Sequence, residues 1–147
     1  MFAFISYSHI DKKFVNSIIK YLTENGIEYF IDEKDIEWGE DVTEEVCKAI
    51  AKTTHLIVVI SPASLKSNWV AYEVGMAEGK GIKVLPFLTH PSLELPIYLR
   101  KLKYITSIDS FEKYLKNVTR NELPVKIRLL YGHVLGKYSG VDRCLKR

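Results

Sequence analysis

The chain has 147 residues and a mass of 16.9 kDa, which suits one domain of ordinary size. With 47% apolar, 12% aromatic and 27% charged residues, it has the composition of a folded globular protein rather than a disordered one. No apolar run approaches the ~20 residues of a membrane span, and no basic stretch precedes an apolar segment near the N-terminus. We therefore expect no membrane partner and no secretory signal, and collagen-like and disulfide-stapled architectures are excluded.

The two cysteines, Cys47 and Cys144, have neither metal-binding nor redox spacing, and the four histidines show no metal-ligand spacing. The sequence therefore predicts reduced thiols, a cytoplasmic location and no bound metal.

Charge is unevenly distributed along the chain. Residues 118–147 carry seven Lys or Arg against two acids, whereas residues 32–45 carry eight acids against Lys34 alone. The net charge of +3 is too small to indicate a nucleic-acid partner. An acidic segment and a basic tail on one chain could favour contacts between protein molecules.

The first half of the chain alternates short apolar runs with helical patterns. Residues 2–6 predict a buried strand, and Asp11 can cap a helix whose end is signalled by Asn25-Gly26. Residues 27–31 predict a second strand, and Thr43 can cap a helix that runs through Ile50.

The second half continues this alternation. His55–Ser61 predicts a strand that Pro62 ends, and Ser67-Asn68 can cap a helix from Trp69 to about Gly79. The remaining predicted elements are a strand over 82–88, a short helix near 97–101, a weak strand over 104–108 and a helix over 111–118.

This alternation predicts an α/β fold of the flavodoxin-like, three-layer type, with a five-stranded, mainly parallel sheet flanked by helices. We expect the domain to span residues 1–120 and a basic C-terminal extension to span 121–147, where strand and helix patterns fit equally well. In such sheets functional side chains collect at the carboxyl ends of the strands.

Several common α/β chemistries lack the residues that they require. The chain has no phosphate-binding Gly-x-x-x-x-Gly-Lys-Ser/Thr loop and no Gly-x-Gly-x-x-Gly after the first strand. Nor does it have the carboxylates of a phospho-receiver at its strand ends. The remaining distinctive pair is Trp69 and Glu73, which share one face of a helix at i and i+4.

An aromatic ring with a carboxylate one turn away suits a site that cleaves a nucleoside glycosyl bond. The ring can stack on a base, and the carboxylate can stabilise the positive charge that develops on the sugar. The plainer interpretation is a core anchor beside a solvated acid, and the spacing alone leaves both open.

Several segments of the sequence resemble those of a Toll/interleukin-1 receptor (TIR) domain of the bacterial type, and they occur in the family's order along the chain. These segments are Phe4–Ser8, Tyr29–Asp32, Asp35–Gly39, Val58–Ser61, Ser67-x-Trp69-x-x-x-Glu73 and Ile82–Pro86. The resemblance covers roughly residues 1–117, and the combination is specific although each segment alone is not.

The resemblance implies an enzyme that cleaves the nicotinamide–ribose bond of NAD+, giving ADP-ribose or a cyclic ADP-ribose isomer, with no cofactor beyond NAD+ as substrate. By position, Glu73 matches the catalytic glutamate and Trp69 the aromatic residue beside it. Phe4 and Ser6 match residues that line the nicotinamide-ribose pocket. Ser8 is expected to contact this pocket too, although either serine could simply cap the loop.

The loop after the second strand departs from the family pattern, because Trp38 precedes Gly39 where the family usually has Pro. Val70 similarly stands where Cys is common. In TIR enzymes this loop meets the next protomer and completes the NAD+ pocket. We therefore expect self-association, or binding to other TIR domains, through residues 35–41, with Trp38 contributing to the pocket. The alternative is that Trp38 folds back on its own domain.

The resemblance also implies a role in bacterial antiphage immune signalling, with a separate effector protein responding to the product. Two other functions remain open at this point. One is a non-enzymatic TIR adaptor that acts through TIR–TIR contacts, and the other is a related nucleoside glycosyl transferase.

Overall fold

The computed structural model describes residues 1–31 and 49–122, with side chains described as far as residue 118. Four strands form its sheet: β1 (Phe2–Ser6), β2 (Glu28–Ile31), β3 (His55–Ile60) and β4 (Lys83–Leu88). Their order is β2-β1-β3-β4, and every pairing is parallel. This order is that of flavodoxin-like sheets, so the predicted fold class is confirmed.

The two faces of the sheet are covered by different helices. On one face, Phe4, Leu56 and Val58 belong to a buried cluster with side chains of α2 (Asn68–Gly79). On the other, the Phe14 ring of α1 (Lys12–Glu24) packs edge-on against Phe87 of β4, with ring centroids 5.2 Å apart. Because successive side chains of a strand point to opposite faces, a sheet covered on both sides accounts for the continuous apolar runs.

A fifth strand over 104–108 is not formed. The residues of this segment add one parallel bridge, Phe87 to Ile105, in which Ile105 exchanges backbone hydrogen bonds with Pro86 and Leu88. Ile105 is buried, but the residues on either side of it are exposed. Helix α3 (Ile108–Glu122) begins only three residues after Ile105, so too few apolar positions remain for a ladder.

Helices α1 and α2 end in the same way. In each, a glycine with positive φ follows the C-cap residue, Gly26 (φ 65°) after α1 and Gly81 (φ 69°) after α2. The next residue donates its backbone N–H back into the last turn, from Ile27 to Leu22 O at 2.9 Å and from Ile82 to Ala77 O at 2.9 Å. This is the Schellman arrangement, and it turns the chain directly into β2 and β4.

The remaining elements are short 3₁₀ turns and helix α3. Residues 1–31 and 49–122 contain three 3₁₀ turns, at His9–Asp11, Ser64–Lys66 and Ile97–Leu99. The chain divides into two compact units, Met1–Ile108 and Asp109–Arg147, and helix α3 forms the whole described part of the second unit.

Some predictions concern residues outside the described ranges. Residues 49–52 are helical, which agrees with the predicted helix at Ile50, and the predicted start at Thr43 lies outside those ranges. The basic tail beyond residue 122 also lies outside them. Within residues 1–31 and 49–122, no helix is long and apolar enough to span a membrane.

Candidate active site

A cleft of about 300 Å³ opens at the carboxyl ends of the strands. One wall is the loop after β1, with Tyr7, Ser8 and His9, and the other is the segment after β3, with Ala63, Lys66 and Ser67. Glu73 of helix α2 completes the lining. The two walls follow adjacent parallel strands, so the sheet order itself places them side by side.

Helix α2 carries Glu73 on its buried face. Ser67 caps the helix, its side chain accepting a hydrogen bond from Val70 N at 3.4 Å. The buried residues Val70, Glu73, Val74 and Ala77 follow the i, i+3, i+4, i+7 spacing of a helix packed on a sheet. Glu73 therefore occupies a position at which the pattern calls for an apolar residue.

The Glu73 side chain is held by Trp69. Glu73 is 1% exposed, and its Oε1 accepts a hydrogen bond from Trp69 Nε1 at 2.7 Å. The indole is half-buried, packs against the core cluster and lies beside the Tyr72 ring, with centroids 5.3 Å apart. Burial of a carboxylate is costly unless a partner or a function compensates. A buried carboxylate in a cleft is thus a candidate functional group.

Of the predicted site residues, Ser8 and Glu73 come together on the cleft lining, and Trp69 joins them through its bond to Glu73. Ser6 is fully buried at the end of β1, and its Oγ has no hydrogen-bond partner among the residues that the structure describes. Phe4 lies in the core against Phe30, with ring centroids 5.3 Å apart. Direct contact of Phe4 and Ser6 with a ligand stays a prediction.

Trp38 and the rest of residues 35–41 lie outside the described ranges. Their predicted part in the pocket and in assembly therefore also stays a prediction.

One hydrogen bond between the segments that follow β1 and β3 was not predicted. Asp11 is the residue before α1, as expected, but its side chain makes no capping bond to that helix. Its Oδ2 instead accepts a hydrogen bond from Ser61 Oγ at 2.5 Å. These residues are 50 positions apart, and the sequence offers no local signal for such a contact.

Five further lining residues were not predicted as site residues: Tyr7, His9, Ala63, Lys66 and Ser67. Tyr7 and His9 flank the predicted Ser8 and could have been found from that position alone. Lys66 directly precedes the predicted helix cap and supplies a positive charge to a cleft that contains a carboxylate. In the described part of the chain, no three metal-ligating side chains come together.

A parallel sheet with a carboxylate-bearing cleft at its carboxyl edge defines an α/β domain of the flavodoxin-like class. Within this class, the family model for the TIR domain matches residues 3–120. The chain therefore belongs to the TIR domain family, and the resemblance seen in its motifs is confirmed.

Its relatives include both an enzyme and receptors. The 2' cyclic ADP-D-ribose synthase BtTIR of Bacteroides thetaiotaomicron is 30% identical over 125 residues, covering 78% of this chain and 44% of that protein. Human Toll-like receptor 6 is 29% identical over 129 residues, covering 82% of this chain and 16% of the receptor. The chain thus spans less than half the length of these curated relatives.

Among solved structures, the TIR domain of the Toll-related receptor TRR-2 from Hydra magnipapillata superimposes with a TM-score of 0.64 at 25% identity. The match covers 81% of this chain and 95% of that domain. The similarity extends over nearly the whole of the receptor's TIR domain.

Proposed function

We propose that this TIR domain cleaves the nicotinamide–ribose bond of NAD+, with Glu73 as the catalytic residue. The observation that carries the proposal is the Glu73 carboxylate, which is 1% exposed, bonded to Trp69 and part of the cleft lining. The name of the bacterial relative, a cyclic ADP-ribose synthase, supports the same substrate class.

The cleft suits the reacting half of the dinucleotide. Its volume of about 300 Å³ lies at the lower end of the range for ligand pockets, so it would hold nicotinamide riboside rather than all of NAD+. Lys66, on the wall that leads to Glu73, would face the negatively charged diphosphate. Ser8 and Ser67 offer hydroxyl groups to the ribose.

The bond to be broken explains why one carboxylate is enough. When the C1'–N bond breaks, its electron pair moves to the pyridinium nitrogen, and nicotinamide leaves as a neutral molecule. No general acid is needed, and the ribose becomes an electron-poor, oxocarbenium-like species. A carboxylate held beside it stabilises that charge most effectively where water is excluded.

The product depends on which nucleophile reaches C1' first. Attack by water gives ADP-ribose and releases a proton, whereas attack by a group of the same molecule closes a ring and gives a cyclic isomer. A cyclic isomer would serve as a diffusible messenger for a separate effector protein in bacterial antiphage defence, which is the role we propose.

The decisive experiment compares two glutamates of the same helix. Purified wild type, Glu73→Gln and Glu78→Gln are incubated with NAD+, and nicotinamide, ADP-ribose and cyclic products are separated by chromatography. Glu78 is exposed at the end of α2 and pairs with Lys101 at 3.3 Å, so its variant is the matched control. Nicotinamide release by wild type and Glu78→Gln but not by Glu73→Gln supports the proposal. Equal release by all three contradicts it.

Self-association through residues 35–41 is a separable part of the proposal. If a neighbouring copy completes the pocket, specific activity rises with protein concentration, and Trp38→Ala reduces this rise. Specific activity that is independent of concentration in both proteins would overturn it. Titration from nanomolar to high micromolar protein provides the measurement.

An adaptor function without catalysis is the second candidate, since Toll-like receptors are among the relatives. Exposed apolar side chains adjacent in sequence to the lining residues also favour a contact surface: Ile10 (71%), Leu65 (40%) and Tyr72 (43%). The absence of nicotinamide release at every concentration, together with specific binding to a second TIR protein, would favour this function.

A further inference from the structure

The two walls of the cleft are tied together by a chain of hydrogen bonds that passes through Asp11. On the first wall, Asp11 N donates to Ser8 O at 2.7 Å. Asp11 Oδ2 then accepts the hydroxyl hydrogen of Ser61 at 2.5 Å. Ser61 stands directly after β3, so this bond crosses from the loop after one strand to the loop after its neighbour.

On the second wall, Ser61 organises the backbone that carries the lining residues. Its Oγ accepts hydrogen bonds from Ala63 N at 3.2 Å and Ser64 N at 3.0 Å. Ser64 Oγ in turn accepts from Ser61 N at 2.8 Å and donates to Ser61 O at 3.2 Å. Ala63 lines the cleft itself, and Ser64 opens the 3₁₀ turn that contains Lys66.

The Ser61 hydroxyl is fully used by these bonds. A hydroxyl has one hydrogen to donate and two lone pairs that accept, and all three are taken, by Asp11, Ala63 and Ser64. The hydroxyl hydrogen points at the carboxylate because both lone pairs are directed at backbone N–H groups. Removal of the carboxylate therefore frees the hydroxyl to rotate and loosens both amides.

We propose that Asp11 is a positioning residue that sets the separation of the two cleft walls and thereby the affinity for the dinucleotide. This inference rests on the proposed function. Asp11 is not on the cleft lining and touches no reacting atom; it acts through Ser61 on Ala63 and Lys66 and through the backbone on Ser8. Its loss raises KM for NAD+ and leaves kcat nearly unchanged, because Glu73 and Trp69 lie on helix α2 and are held by their own hydrogen bond.

The test uses conservative and disruptive variants of both partners. Asp11→Asn keeps an acceptor oxygen and Ser61→Thr keeps the hydroxyl, so both retain a KM within about threefold of wild type. Asp11→Ala raises KM about tenfold, as expected for one lost charged hydrogen bond. Ser61→Ala raises KM at least as much, because it also removes the acceptor of the Ala63 and Ser64 amides. The double variant is no worse than Ser61→Ala alone, because the contact with Asp11 is already lost in that variant. Glu24→Ala, which removes an exposed carboxylate at the end of α1, is the matched control.

A readout that is independent of activity accompanies the kinetics. In Asp11→Ala the backbone amides of Ala63 and Ser64 exchange hydrogen faster than in wild type. The amide of Ile82, which bonds to Ala77 O at the C-terminal end of α2, serves as the internal reference and is unchanged.

The outcomes separate this inference from the proposed function. Cleavage of NAD+ with a wild-type KM in Asp11→Ala overturns the positioning role and leaves the proposed function intact. A lower unfolding midpoint with unchanged KM, or an Asp11→Asn variant as impaired as Asp11→Ala, also overturns it. If Glu73→Gln releases as much nicotinamide as wild type, the proposed function fails, and the two amides then show whether Asp11 orders the loop at all.

Discussion

Helices α1 and α2 bury the same kind of face but fill it with different chemistry. In α1 the buried residues are Val15, Ile18 and Leu22, all apolar. In α2 the corresponding spacing gives Val70, Glu73, Val74 and Ala77, with a carboxylate among the apolar residues. The two helices end in the same Schellman turn, so they differ in what they bury rather than in how they are built.

Under the proposed function, this difference marks Glu73 as the position where the molecule gives up stability for catalysis. A sequence that specifies a fold keeps its patterns consistent, and the exceptions concentrate at functional sites. Glu73 is such an exception, whereas α1 shows the pattern without one. Substitutions in the two helices should therefore have opposite effects on catalysis and on stability.

The largest effect is expected at Glu73. Glu73→Gln keeps an oxygen that can accept the Trp69 N–H but removes the charge, so nicotinamide release should fall about 10³-fold. Because an amide is less costly to bury than a carboxylate, the free energy of unfolding should be no lower than that of wild type. Product chromatography and urea unfolding on the same preparation measure both quantities. A variant that loses stability and activity together would show that Glu73 has a structural role.

The reverse result is expected in α1. Ile18 is fully buried, so Ile18→Ala should reduce the free energy of unfolding by about 3 kcal/mol through lost burial and a new cavity. The activity of the folded fraction should stay at the wild-type level. Lys20→Ala, at an exposed position of the same helix with a weak 3.9 Å ion pair to Glu24, is the control and should change little. A specific loss of turnover in Ile18→Ala would remove the contrast between the helices.

Trp69 should have an intermediate effect. Trp69→Phe keeps an aromatic ring against the core but removes the Nε1–H that Glu73 Oε1 accepts at 2.7 Å. We expect nicotinamide release to fall about tenfold, corresponding to one hydrogen bond to a charged group. Steady-state kinetics with Tyr72→Phe as the neighbouring control measure this. Equal effects of the two substitutions would indicate that the bond does not orient the carboxylate.

The smallest effects should be the same in both helices. An added Cβ would meet no atom within 4 Å at Gly26 or at Gly81, so only the positive φ opposes a side chain there. Gly26→Ala and Gly81→Ala should each reduce the free energy of unfolding by about 1 kcal/mol. Chemical denaturation of the two variants side by side is the measurement, and a much larger loss at one glycine would show that the two turns differ.

Local periodicity predicted most of the described framework, because each strand and helix carries its own pattern. Strand β1 was placed at its observed bounds, and α2 began one residue before the predicted start. The prediction of a weak strand near Ile105 was wrong, because this segment forms a single bridge. Which residues of a short segment are buried depends on their neighbours in space, and the sequence does not display these.

The geometry of the candidate site was predicted only where its signal was local. The spacing of Trp69 and Glu73 placed both on one helix face, and the catalytic role of Glu73 rests on the family resemblance and stays a proposal. Stacking of the Trp69 ring on a base stays a prediction. The bond from the indole N–H to the carboxylate was not predicted. The bond between Asp11 and Ser61 joins distant parts of the chain, so no window of sequence contains it.

The pairing of β1 with β3 has a consequence for synthesis of the protein. Ala3 pairs with His55, so one edge of the first strand has no partner until 52 further residues have followed it. β2 pairs with the opposite edge of β1 earlier, but the pairing of β1 with β3 at the centre of the sheet cannot form until β3 has been synthesised. Contacts between residues so far apart in sequence slow folding, and the apolar edge of β1 stays exposed until they form. The nascent chain is therefore most vulnerable to aggregation on the ribosome before the third strand emerges, a window in which a chaperone would have its greatest effect.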